Sequence, residues 1–202
     1  MRRKVIGITG GIGSGKSVVS RVLRCNGFEV YDCDSKAKWL MNTDTGLKES
    51  LIDHFGPEIY NKNGLNREKL AGIIFSDSSE RSFVNTLVHS AVRKDIDSHI
   101  KQGSGDFFIE AALLPTSGLD NECDRVWLVE APLAVRIKRV EKRDGKDVSE
   151  IEKRIESQDH EFDSLPSDKT IIIENNGYSP ILVHILELTD KNINNQTFIL
   201  PC

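Results

Sequence analysis

Residues 5–17 read Val5-Ile6-Gly7-Ile8-Thr9-Gly10-Gly11-Ile12-Gly13-Ser14-Gly15-Lys16-Ser17. The first five are apolar enough for a buried strand, and the last eight meet the phosphate-binding pattern G-x-x-x-x-G-K-[ST] at every fixed position. Beyond them, Ser17 to Arg24 carries apolar residues at helical spacing. Strand, glycine loop and helix together let backbone N–H groups and a helix N-terminus surround several phosphate charges at once. Gly10, Gly11, Gly13 and Gly15 are expected to take positive φ angles and bring the backbone close to the phosphates. Gly11, Ile12, Gly13, Ser14 and Gly15 are then nucleotide-binding through their backbone, Lys16 reaches the β- and γ-phosphates, and the Ser17 hydroxyl ligates the bridging Mg²⁺. An accidental glycine-rich turn would come without the strand before it and the helix after it.

The apolar run ahead of this loop is one of five strand candidates: Lys4 to Thr9, Glu29 to Cys33, Phe107 to Glu110, Arg125 to Glu130 and Thr170 to Glu174. Most are short, apolar and β-branched or aromatic, as parallel strands buried on both faces are. Helical patterns between them predict an α/β fold with a doubly wound parallel sheet of about five strands. One gap is too long for a simple crossover. From about Ser35 to Gly105 no strand is expected; helical stretches lie at Ser35 to Met41, Gly46 to Phe55, Arg67 to Phe75 and Ser79 to Lys101, with the turn cluster Asn61-Lys62-Asn63-Gly64 between two of them. This divides the chain into a core, 1–34 with 105–202, and a helical insertion, 35–104, large enough to cover a substrate.

A second charged region, Arg136 to Gln158, mixes acids with eight basic residues, and Arg136, Arg139 and Arg143 fall near one helix face. By composition this is a solvated face. Next to a phosphate loop it is a candidate lid, residues 136–160, that brings arginine to the transferred phosphate.

Ligands of open α/β sheets sit outside the carboxyl ends of the strands, which draws attention to three acids. Asp32 and Asp34 flank Cys33 at the end of the second strand, on one side of an extended chain. Either is a candidate to take a proton from a substrate hydroxyl or to hold Mg²⁺ through water; Asp34 is also a reasonable N-cap for the next helix. Glu110 ends the third strand, as a metal-holding acid or a strand-end salt bridge. His89 lies within a long helical pattern, where a structural histidine competes with one that touches substrate.

The formal net charge of −4 argues against a general nucleic-acid binder, and no apolar run approaches the roughly 20 residues of a membrane helix. Cys25, Cys33, Cys123 and Cys202 form no C-x-x-C pair, so neither a metal site nor a disulfide framework is indicated. Met-Arg-Arg-Lys at the start is followed by no small-residue cleavage site, and a cytoplasmic protein is expected.

These residues together resemble the dephospho-coenzyme A kinase family. The resemblance starts at Gly7 to Ser17 and continues through Asp32-Cys33-Asp34, His54-Phe55-Gly56, Leu65-Asn66-Arg67, Ile74-Phe75 and Asn85 with His89. It goes on through Glu110 to Leu114, Ala131-Pro132, Arg139 with Arg143-Asp144, Arg154-Ile155 with Gln158, and Asn175-Asn176-Gly177, so it spans about residues 4 to 180. Cys33, Ser90, Ala112 and Thr116 stand where the family usually has alanine, proline, proline and glutamate. The resemblance implies a P-loop kinase core with a coenzyme-binding insertion and a lid. It implies ATP and Mg²⁺ as cofactors and phosphorylation of the ribose 3′-hydroxyl of dephospho-coenzyme A. On it, Asp34 is the general base, Asp32 and His89 face the substrate, Arg139 is the lid arginine with Arg143 in support, and Asn175 to Gly177 lie beside adenine. No nucleic acid or membrane partner is implied, and a monomer or weak homo-oligomer is expected. The rival readings are another small-molecule P-loop kinase and a nucleotide switch; the guanine-reading Asn-Lys-x-Asp motif of the latter is absent.

Overall fold

The structure, a computed structural model, describes residues 2–158, 160–178 and 180–190. Residues 191–202, Cys202 among them, lie outside the described residues. In chain order come β1 (Val5–Thr9), α1 (Lys16–Cys25) and β2 (Glu29–Asp32), then α2 (Cys33–Thr43) and α3 (Thr45–Phe55). A short hairpin follows, β3 (Tyr60–Asn61) and β4 (Gly64–Leu65), and then α4 (Arg67–Ser76) and α5 (Ser78–Gln102). The rest is β5 (Phe107–Glu110), α6 (Leu114–Ser117), β6 (Arg125–Glu130), α7 (Leu133–Asp144), α8 (Val148–Glu156), β7 (Thr170–Glu174) and α9 (Ile181–Asp190). The chain forms two compact units, one from Lys4–Val30 and the chain from Asp106 on, the other from Arg3 and Tyr31–Gly105.

In the first unit the sheet runs in the order β2-β5-β1-β6-β7, and β1 pairs in parallel with both β5 and β6. The winding therefore reverses at β1, which opens a crevice at its carboxyl end, where the glycine loop begins. β1 is buried along its whole length, with Ile6 and Ile8 packed against Val19, Leu23, Phe108, Trp127, Val129 and Ile173. Each such fully buried side chain contributes about 1.5–3 kcal/mol of transfer free energy. Gly7 sits mid-strand because a Cβ there would lie 2.6 Å from Leu114 Cδ2. Its bare backbone lets α6 pack directly onto the strand.

The second unit is helical, and its helices start on side-chain caps. Asp32, Asp44, Asn66 and Asp77 accept N–H groups at the starts of α2, α3, α4 and α5 in turn, each cap being worth about 1 kcal/mol. The 310 turn Pro57–Ile59 leads into the hairpin. Expecting no strand between residues 35 and 105 missed this hairpin: Asn61 to Gly64 is its turn, and only two residue pairs flank it. At the far end, Arg3 donates to Gly105 O (3.0 Å) and His99 O (2.9 Å), covering the carbonyls at the end of α5.

The second strand stops one residue earlier than expected. Asp32 Oδ1 accepts from Ser35 N (3.0 Å) and its Oδ2 from Ser35 Oγ (2.8 Å), so Asp32 is the cap and Cys33 is already helical. Asp34 lies in the first helical turn, exposed, rather than two residues along an extended chain. The reading of two acids on one side of a strand is therefore corrected, and the cap belongs to Asp32, not Asp34.

Candidate active site

The loop between β1 and α1 is built from the outside. Three of its glycines have positive φ: Gly10 (146°), Gly13 (78°) and Gly15 (99°). Gly11 does not, and its glycine answers a different need: a Cβ there would collide with the Arg136 guanidinium. The expectation of four positive φ angles is thus wrong at Gly11. A Cβ on Gly15 would likewise strike Asn175 Nδ2.

Every carbonyl from Gly10 to Ser14 has a side-chain donor. Lys16 Nζ donates to Gly10 O and to Gly11 O (3.4 Å). Arg136 Nε donates to Ile12 O (2.9 Å). Arg139 Nη1 donates to Gly13 O (3.3 Å) and Ser14 O (3.2 Å), and its Nη2 to Asn175 O and Oδ1 (both 3.1 Å). Asn175 Nδ2 completes the set on Ser14 O (2.8 Å). With its carbonyls paired to cations and amides, the loop has its partial negative charge offset. α1 begins at Lys16, directly after the loop, so the positive end of the helix adjoins it.

Of the residues singled out from sequence, this unit brings together Gly11 to Ser17, Lys16, Arg139 and Asn175. Ser17 is exposed in the first turn of α1. Glu110, half-buried, is in register with Ile8 across the β1–β5 pair, one residue before β1 ends. Arg143 is not brought to the loop: its exposed guanidinium meets the Asp144 carboxylate side-on (2.7 and 3.0 Å), which holds that carboxyl below its usual range. The stretch 136–160 is no single helix, because Gly145 breaks it in a left-handed conformation (φ 63°) between α7 and α8.

The sequence reading puts Arg136 on the arginine face of the candidate lid and Gln158 at the end of the same charged region, neither against the loop. Both touch the loop; Gln158 Oε1 accepts the Ile12 N–H (2.8 Å). The usable signal was the spacing of Arg136 and Arg139, three apart on one helix. A cavity of about 470 Å³ opens beside the loop, lined by Gly11, Ser14, Glu130, Pro132, Arg136, Phe162 and Asn176 among others. The Ser14 hydroxyl, 1 % exposed, has no hydrogen-bond partner among the described residues.

Asp32, Asp34 and His89 belong to the helical unit. His89 is half-buried on α5, and burial, followed by the Arg93 charge, lowers its pKa below the ordinary histidine value. In the same unit Asp95 gathers Tyr31 Oη (2.8 Å), Lys36 Nζ (3.7 Å) and His99 Nε2 (3.8 Å). Burial, then the bond to Asp95, pushes the Tyr31 hydroxyl well above its usual pKa, so it stays a neutral donor.

A family model for dephospho-CoA kinase matches residues 4–180. The chain belongs to the dephospho-CoA kinase family. A dephospho-CoA kinase of Porphyromonas gingivalis is 41% identical over 157 residues, covering 77% of this chain and 78% of that one. One of Bacteroides fragilis is 37% identical over 189 residues, 91% of this chain and 90% of the relative. A crystal structure of a Thermus thermophilus protein superposes with a TM-score of 0.80 at 29% identity, over 96% of this chain and all of that one. As a member of the dephospho-CoA kinase family, the chain is an α/β P-loop kinase. Among the described residues no helix is long and apolar enough to cross a membrane.

Proposed function

We propose that this chain transfers the γ-phosphoryl group of ATP to the ribose 3′-hydroxyl of dephospho-CoA, the last step of coenzyme A formation. The observation that carries this reading is the braced loop: five consecutive carbonyls each paired with a side-chain donor, in a chain of this family. Transfer through a loose transition state needs positioning and charge neutralisation more than covalent chemistry. The Lys16 ammonium and the amides between Gly11 and Ser17, other than the Ile12 and Ser14 N–H groups that Gln158 Oε1 and Gly11 O accept, would take the β- and γ-phosphates. Asn175 and its neighbours would border the base, and Arg143 would leave Asp144 for phosphate.

Arg139 would neutralise charge from the rim of the loop it braces. Asp34 would orient and deprotonate the acceptor hydroxyl, its exposure in a first helical turn leaving the carboxylate open to substrate. Asp32 and His89 would contact the coenzyme. Among the described residues no group of three His, Cys, Asp or Glu is placed to hold a metal alone. Mg²⁺ does not need one, since it keeps several waters and is held by one or two protein oxygens plus phosphates. The exposed Ser17 hydroxyl and the Glu110 carboxylate fit that pattern. Ser17 and Glu110 would hold the ion, and the chemistry it would supply there is neutralisation of charge on the phosphates. The enzyme would work in the cytoplasm, as a monomer or weak homo-oligomer.

A coupled ADP-release assay tests the reading. ATP-dependent ADP release with dephospho-CoA, and formation of coenzyme A, is the expected result. Release with a nucleoside monophosphate or a sugar acid but none with dephospho-CoA would replace it with another small-molecule kinase.

A further inference from the structure

Ile12, at the apex of the glycine loop, is held at three points by the α7–α8 region. Its side chain packs against the cluster of Val140, Ile151 and Ile155, beside Ile137. Its carbonyl accepts from Arg136 Nε (2.9 Å), and its N–H donates to Gln158 Oε1 (2.8 Å) just past the end of α8. The last contact has a geometric consequence. In a trans peptide the C=O and the N–H point in opposite directions. With the Ile12 N–H turned outward to Gln158, the carbonyl of the same peptide, Gly11 O, is turned inward. There it accepts from Ser14 N (3.1 Å) and from Lys16 Nζ (3.4 Å). One side chain from beyond α8 therefore sets the orientation of a peptide on which the phosphate-binding lysine rests.

We propose that Gln158 is a positioning residue for phosphoryl transfer: by accepting the Ile12 N–H it fixes the Gly11–Ile12 peptide, and with it the resting place of Lys16. This rests on the phosphoryl-transfer reading above and adds to it a residue that acts through the loop rather than on substrate. Without the acceptor, the Ile12 N–H loses its reason to face outward. The peptide, flanked by Gly11, is then held only through Gly11 O and turns more readily, and each turned molecule must reorder before it binds phosphate.

The test compares Gln158→Met, which keeps length but no acceptor, with Gln158→Glu, which keeps an acceptor oxygen. Hydrogen exchange is followed by mass spectrometry on the loop peptide of the ligand-free protein, beside the melting temperature and ATP kinetics. A single net hydrogen bond is worth about two- to tenfold in an equilibrium. Gln158→Met is thus expected to speed exchange at the loop several-fold and to lower kcat/KM for ATP by a similar factor, with the melting temperature lowered by only about 1–6 °C. Gln158→Glu is expected to keep loop protection. Unchanged loop exchange in Gln158→Met, or equal loss of protection in both variants, would overturn the proposal. If the wild type fails to phosphorylate dephospho-CoA, the exchange comparison still decides the role of Gln158, so the two readings fail separately.

Discussion

Replacing Arg139 with alanine separates two roles for one guanidinium. If Arg139 acts only on the transferred phosphate, its loss lowers turnover and leaves the resting protein as stable as before. The structure instead gives it four hydrogen bonds, to Gly13 O, Ser14 O, Asn175 O and Asn175 Oδ1, at 3.1–3.3 Å. A hydrogen bond from a charged donor is worth about 1.5–3 kcal/mol net. The bonds here are on the long side and the guanidinium is half-buried. Ser14 O also keeps its bond from Asn175 Nδ2. The four therefore do not add, and roughly 2–3 kcal/mol in total is the expected loss. For a domain of 150–250 residues each kcal/mol moves the melting temperature about 2–4 °C, so Arg139→Ala should melt about 4–12 °C lower without any nucleotide present. Scanning calorimetry of the ligand-free protein reads this directly, and coupled ADP release reads activity on the same sample. A melting temperature within about a degree of wild type, with activity lost, would refute the bracing role. A loss of activity below tenfold, about 1.4 kcal/mol, would remove the phosphate role.

Gly15→Ala places a β-carbon on a residue with φ 99° and against Asn175 Nδ2. The left-handed backbone and the broken Asn175–Ser14 bond together should cost about 2–5 kcal/mol, visible as a depressed melting temperature; an unchanged one would contradict the geometry. Asp34→Asn should fold normally, since the cap is Asp32, yet lose turnover by orders of magnitude; near-normal turnover removes the proposed base. His89 should titrate below 6.5 by NMR, because burial and Arg93 disfavour its charged form. The unfolded chain then binds the proton more readily, so the contribution of His89 to stability is present above about pH 6.5 and is lost as pH falls through its lower folded value. A midpoint at or above 6.5 would contradict this. Thiol labelling mapped by mass spectrometry should modify exposed Cys25 and spare Cys123, which is 2 % exposed with its pKa pushed up to about 12, chiefly by burial; rapid labelling of Cys123 in the native state would contradict its burial.

The central strands were readable because parallel strands with both faces covered appear as unbroken apolar runs, as in Phe107-Phe108-Ile109. α5 was readable to within a residue at each end, since long periodic stretches outvote local signals. The error at Cys33 has a local cause. Cys33, two residues after the buried Tyr31, extends the alternating strand pattern, but the Asp32 carboxylate captures Ser35 N and ends the strand there. The hairpin at Tyr60 to Leu65 escaped because two-residue strands carry no periodicity. In the site, the loop and Lys16 could be read from one contiguous motif. The loop partners of Arg136, Arg139 and Gln158 could not, because they are backbone atoms more than 120 residues away in the chain. A carbonyl has no letter in a sequence, so a side chain that binds one leaves only half a record.

The three-sided grip on Ile12 bears on transplantation. Residues 10–17 look like a portable cassette, eight letters that could be spliced between any strand and helix. Here the cassette's shape is stored largely outside it, in two helices and an asparagine that follow it by more than a hundred positions. Grafted into a foreign sheet, these eight residues would carry the glycines and the lysine but not the mould that sets them. A chimera that is to inherit this loop's geometry must take α7, α8 and Asn175 along with it.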